Sequence, residues 1–148
     1  MSEMSSGKWE LGFYLAAVLI ISTAANAARP STYEAVELKA LAYLGQGLSL
    51  AGRGVTTEAI KYLSRGIEID PKNPRGYLAR GRLYEKQQEF QKALTDYTQA
   101  IRLAPKDPQG YYLRGALYAR QGFLKKAIDD HSQAVKLNPN DPEARYWR

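Results

Sequence analysis

A period of 34 residues runs through this 148-residue chain without an insertion. At that offset Tyr43, Tyr77 and Tyr111 coincide, as do Gly47, Gly81 and Gly115. Leu50, Tyr84 and Tyr118 follow, then Ala59, Ala93 and Ala127, then Leu63, Tyr97 and His131. Gly66, Ala100 and Ala134 come next, and Pro71, Pro105 and Pro139 close each unit. A chain under this constraint is built of like units, each burying its apolar face against the next. In the second unit Tyr77, Arg80, Gly81 and Tyr84 lie at i, i+3, i+4 and i+7, which is one helix face. Phe90, Ala93, Leu94, Tyr97, Ala100 and Ile101 make a second stripe of the same period, and the polar pair Gln87-Gln88 marks the turn between them. The segments "APKDP" and "NPNDP" end the second helix and open the next, because Pro suits a first helical turn and not an interior. The expected fold class is all-α, with tandem helix–turn–helix repeats.

Period, small residues, aromatics and closing prolines together resemble the tetratricopeptide repeat (TPR) family. The resemblance covers residues 40–141 as three repeats, 40–73, 74–107 and 108–141, with 142–148 as the start of a fourth. It implies helix pairs stacked as a right-handed superhelix whose first helices line a concave groove. Residues 28–39 read as an N-terminal extension of the first helix, opened by a capping box in "STYE" at 31–34. Arg80 precedes Asp96, and Arg114 precedes Asp130, by the same 16 residues. The first unit has Gln46 and Tyr62 at those places and loses both charges together. An ion pair between the two helices of a repeat is expected.

Residues 1–27 read as a signal peptide or signal anchor. "LGFYLAAVLII" at 11–21 is an unbroken run of apolar and small residues, and Ala25-Asn26-Ala27 has the small-x-small form of a cleavage site. The run is short of the roughly 20 apolar residues a membrane span needs. Glu3 and Glu10 offset Lys8, so the leading segment lacks a strong positive charge, and an uncleaved anchor is the rival reading. The expected location is periplasmic or secreted if the host is bacterial, or inner-membrane anchored through residues 11–28.

Composition narrows the chemistry. With no Cys, disulfides, zinc thiolates, iron–sulfur sites and cysteine catalysis are excluded, and a single His cannot build a histidine metal cluster. His131 falls in the column of Leu63 and Tyr97, which makes it a packing residue. Asp129 and Asp130 are adjacent on a helix and diverge rather than converge. No GxGxxG or GxxxxGK[ST] occurs, and "GQGLSLAGRG" at 45–54 sits inside the repeat register. No enzyme, cofactor or metal is expected. The formal charge of +6 admits acidic partners, but the basic residues are dispersed and often lie beside Asp or Glu.

The expectation for function is a protein–protein interaction scaffold or adaptor that binds a partner peptide or segment, possibly an acidic one, in the TPR groove. By resemblance, the partner-binding residues are Leu41, Leu44 and Leu48 in unit one, Arg75, Leu78, Arg82 and Lys86 in unit two, and Gln109, Tyr112 and Arg120 in unit three. Glu85 in unit two and Ala51, Ala116 and Ala119 belong to the same face. Carboxylate-clamp repeats, which hold chaperone C-terminal tails, place Lys, Asn and Arg at positions that here carry Leu44, Leu48, Ala79, Gln109 and Leu113. None fits, so that activity is not carried over. The alternative readings are binding of an anionic non-protein surface (lipid or nucleic acid) and a membrane-anchored assembly factor. Export argues against nucleic acid, and membrane contact requires an uncleaved N-terminal segment. Arg148 falls in the column of Arg80 and Arg114, just before an expected Gly, which makes the C-terminal end a candidate surface for self-association.

Overall fold

The computed structural model describes residues 32–139. The backbone divides at Ala35/Val36, and apart from residues 32–35 everything described belongs to the second unit. The expected signal segment at 1–27, Ser31 of the expected capping box and the expected start of a fourth repeat at 142–148 lie outside the described residues. Among the described residues there are six helices and no strand: α1 (Thr32–Gly52), α2 (Thr56–Ile69), α3 (Pro74–Lys86), α4 (Phe90–Leu103), α5 (Pro108–Arg120) and α6 (Leu124–Leu137). None of them is long and apolar enough to cross a membrane. Each repeat is one helix pair: α1–α2, α3–α4 and α5–α6.

The expected stops and starts are present. Pro74 and Pro108 sit in the first turns of α3 and α5, where a missing N–H costs no hydrogen bond. Just before them the Asn73 and Asp107 side chains accept from the backbone N–H of Arg75 (3.1 Å) and Gln109 (2.9 Å), so each helix is capped. Within each repeat the turn closes through one recurring bond, from the N–H of Val55, Glu89 and Phe123 to the carbonyls of Leu50, Tyr84 and Tyr118. The chain reverses there through a left-handed residue: Gly54 (φ +80°), Gln88 (φ 61°) and Gly122 (φ +80°), again 34 apart. Gln88 is the outlier, since an L side chain in this region costs about 1–2 kcal/mol relative to Gly. Gln88→Gly is therefore expected to stabilise the fold by about 0.5–1 kcal/mol, net of the greater freedom Gly gains when unfolded. A rise in the urea midpoint would register it, and an unchanged or lower midpoint would contradict it.

The core is a column of large side chains seated on glycines. Tyr97, fully buried, lies over Gly81, where an added Cβ would come within 2.6 Å of the Tyr97 ring. Leu63 over Gly47 and His131 over Gly115 repeat the arrangement. Gly76 and Gly110, in α3 and α5, let the next repeat approach Ile67 and Ile101 in the same way. Two apolar clusters result. One joins Leu44, Ala59 and Leu63 to Leu83, the other joins Leu78, Ala93, Tyr97 and Ala100 to Leu117, so each bridges consecutive repeats.

The expected ion pairs form, and they reach further than one repeat. Arg80 donates from Nε and Nη2 to the two oxygens of Asp96, both at 2.8 Å, and from Nη1 to Ser64 Oγ at 3.0 Å. Arg114 does the same with Asp130 (2.8 Å twice) and Thr98 Oγ1 (3.1 Å). One guanidinium thus joins both helices of its own repeat to the second helix of the repeat before. The fork-to-fork hydrogen bonds to the aspartate outweigh burial and hold both guanidinium groups more firmly protonated than usual. His131 is buried as the sequence column requires, and burial pushes its imidazole below the ordinary range against the opposing pull of Asp130.

Candidate binding groove

The first helices present a continuous concavity. A recess of about 350 Å³ lies between α1 and α3, lined by Leu41, Leu44, Gly45, Leu48, Leu63, Asn73, Arg75 and Ala79. It shares Leu48, Arg75 and Ala79 with a larger one of about 500 Å³, which extends along Leu78, Arg82, Leu83 and Lys86 to Gln109 of α5. The helical period explains both walls. Leu41, Leu44, Gly45 and Leu48 fall at i, i+3, i+4 and i+7 on α1, while Arg75, Leu78, Ala79, Arg82 and Lys86 extend the same spacing along α3.

These residues do different work. Leu41 and Leu48 are 55% and 56% exposed and form an apolar shelf. Leu44 and Leu78 are only 6% and 5% exposed, so they are core residues at the floor of the groove rather than contact residues on its rim. Leu44 is held down because its side chain packs on Gly66 and Gly76, and Leu78 because it belongs to the cluster around Tyr97. Arg75, Arg82 and Lys86 are exposed and, among the described residues, paired with no carboxylate.

Two expected site residues lie outside both recesses. Arg120 forms an ion pair with Glu85 and lies over the Phe90 ring at 5.6 Å, so its charge is neutralised within the fold. Glu85 also accepts from the Tyr97 hydroxyl at 2.9 Å, which makes it the centre of a clasp between α3, α4 and α5. Tyr112 is half-buried with its ring 5.6 Å from that of His131, a packing role rather than an exposed one. The sequence reading left out Asn73, which combines capping with lining the recess, and treated Ala79 only as a clamp position. The small Ala79 on the groove stripe was the available signal for the second. No group of three or more His, Asp or Glu among the described residues is placed to hold a metal.

Tandem helical hairpins with a concavity along their first helices define a helical-repeat binding module. Profiles described as "TPR repeat" match residues 47–88 and 81–122, and one described as "Tetratricopeptide repeat" matches 108–141. The chain belongs to the tetratricopeptide repeat family. No curated protein matches it. Among solved structures it is similar to the first TPR domain of Spaghetti (RPAP3) bound to the HSP90 peptide SRMEEVD, at 29% identity and a TM-score of 0.71, covering 74% of this chain and 87% of that one. It is also similar to the second TPR domain of human RPAP3 in complex with the HSP70 peptide SGPTIEEVD, at 27% identity and a TM-score of 0.70, covering 76% and 93%. The Arabidopsis OM64 TPR domain, at 20% identity and a TM-score of 0.71 over 76% and 93%, shares the fold.

Proposed function

We propose that the chain is a non-catalytic interaction module whose groove binds a segment of a partner protein carrying both apolar and acidic side chains. The observation that carries this reading is the pairing of an exposed apolar shelf, Leu41 and Leu48, with three cations, Arg75, Arg82 and Lys86, that have no carboxylate partner among the described residues. Covering each leucine is worth about 1–2 kcal/mol. The cations accelerate encounter and fix register more than they add affinity. The solved relatives bound to peptides ending in EEVD support an acidic ligand. The clamp positions argue for a different use of the surface. Leu44, Leu48, Ala79, Gln109 and Leu113 offer no fork for a terminal carboxylate, so the acidic groups recognised here are side chains within a segment.

Photo-crosslinking from Leu48 in the full chain tests the proposal, with exposed Lys61 on α2 as the comparison position. Crosslinked partner is expected from Leu48 and not from Lys61, falling about tenfold or more in Arg75→Glu/Arg82→Glu/Lys86→Glu. Equal yields from the two positions, or no loss in the triple variant, would move the site elsewhere.

A further inference from the structure

We infer that the side formed by the second helices carries a separate site for an acidic segment of a partner protein, in the cleft where the second and third repeats meet. This cleft, of about 470 Å³, runs between α4 and α6 with Tyr118 of α5 and Phe123 of the turn in its wall. Its lining holds two charged side chains, Arg102 and Lys126, both cations. The Lys126 ammonium lies 5.3 Å from the ring centres of both Tyr118 and Phe123, so aromatic faces hold it in place of a carboxylate. Among the described residues no acidic group pairs with it or with Arg102.

The preceding junction is an internal control, because the same positions occur 34 residues upstream. Lys92 there lies 5.3 Å from the Tyr84 ring, as Lys126 lies over Tyr118, but it is also ion-paired to Glu89. Arg65 pairs with Glu68 at 3.0 Å, leaving Lys61 as the unpaired charge. Downstream, Glu68 becomes Arg102 and Glu89 becomes Phe123, while Lys61 and Arg65 become Thr95 and Gln99. The upstream cleft therefore has charges that largely cancel. The downstream one has lost both acids and two of the three cations, kept Lys126 at the place of Lys92, and gained Arg102 and a half-exposed phenylalanine.

A recess with two cations and an aromatic wall takes a projecting carboxylate with an apolar neighbour. Arg102 and Lys126 are exposed, but they flank a cleft walled by Leu94, Thr98, Tyr118 and Phe123, a shape that fits a chain segment of a protein better than the planar surface of a bilayer. With the groove on the first helices, the module would hold two partners at once.

The test uses the full chain and a capped fluorescent peptide, Asp-Glu-Phe-Glu-Asp, with a photoreactive group on its phenylalanine. Expected are attachment within 91–102 or 123–126, and binding there weakened about tenfold or more by Arg102→Glu/Lys126→Glu. Arg82→Glu/Lys86→Glu should leave that attachment unchanged. Glu68→Arg/Glu89→Phe should create a second attachment zone around Lys92. Arg102→Gln/Lys126→Gln serves as the milder pair if charge reversal lowers the melting temperature. Attachment confined to the α1–α3 groove, or binding indifferent to both cation pairs, would overturn the proposal. So would phosphatidylglycerol vesicles whose capture depends on Arg102 and Lys126 while the peptide ignores them, which would make this a lipid site.

Discussion

Arg80→Ala is expected to destabilise the fold by about 3–5 kcal/mol, read as a shift in urea denaturation followed by helical circular dichroism. The size follows from what the deletion leaves behind. Asp96 is 5% exposed at its side chain and receives both its close charged bonds from this one guanidinium. Without Arg80 a buried carboxylate has no counter-ion, and Ser64 loses its donor. The cation also lies 5.9 Å and 5.8 Å from the ring centres of Tyr77 and Tyr84, packing that a smaller side chain gives up. Asp96→Ala should cost a similar amount, and the double variant less than the sum, because removing both charges removes the unpaired one. Arg65→Ala gives the scale for an exposed pair: its partner Glu68 is 62% exposed, and a change within about 0.5 kcal/mol is expected. Additive effects of Arg80→Ala and Asp96→Ala would refute the coupling.

Tyr97→Ala is expected to cost about 3–5 kcal/mol by the same measurement. Tyr97 has no exposed surface and fills the space that Gly81 leaves open, so truncation opens a cavity that a helix backbone already in close contact cannot close. Tyr97→Phe separates packing from polarity. It keeps the ring and removes only the hydroxyl bond to Glu85, about 1–2 kcal/mol, while Glu85 retains Arg120. Burial first, and then the bond to Glu85, pushes the Tyr97 hydroxyl well above the ordinary tyrosine range. The unfolded chain therefore releases this proton near pH 10 while the folded chain keeps it, so stability is full below about pH 10 and falls as pH rises further. Tyr97→Phe should lessen that alkaline slope. An equal slope in both proteins would assign it to other tyrosines.

The fold was legible because the period is exact in residue number, and sequence columns became spatial columns: Leu63, Tyr97 and His131 each sit on a glycine. The Arg80–Asp96 and Arg114–Asp130 pairs were legible for the same reason, since both charges vanish together at Gln46 and Tyr62. Ser64 and Thr98 escaped notice although they share the spacing, because a hydroxyl in a helix is an ordinary surface residue until its donor is located. The groove was legible as a stripe but not in depth. Periodicity places Leu44 beside Leu41 and Leu48, yet only the packing of Leu44 on Gly66 and Gly76 turns it inward. The Glu85–Arg120 pair spans repeats and has Ala51 and Lys86 at the aligned positions one repeat earlier, so no recurrence announced it.

The arginine hydrogen bonds stitch α2 to α3 and α4, and α4 to α5 and α6. Gln46 leaves α1 outside that thread, attached through apolar contacts such as Leu44 and the 6.0 Å ring contact of Tyr43 with Tyr62. The two walls of the groove are therefore held unequally: α3 is tied by its charges, while α1, bearing the leucines, lacks such a tie and is expected to be the more compliant wall. In the proposed binding mode, α3 would be a rigid ruler for the charge pattern of a bound segment and α1 a compliant one for its bulk.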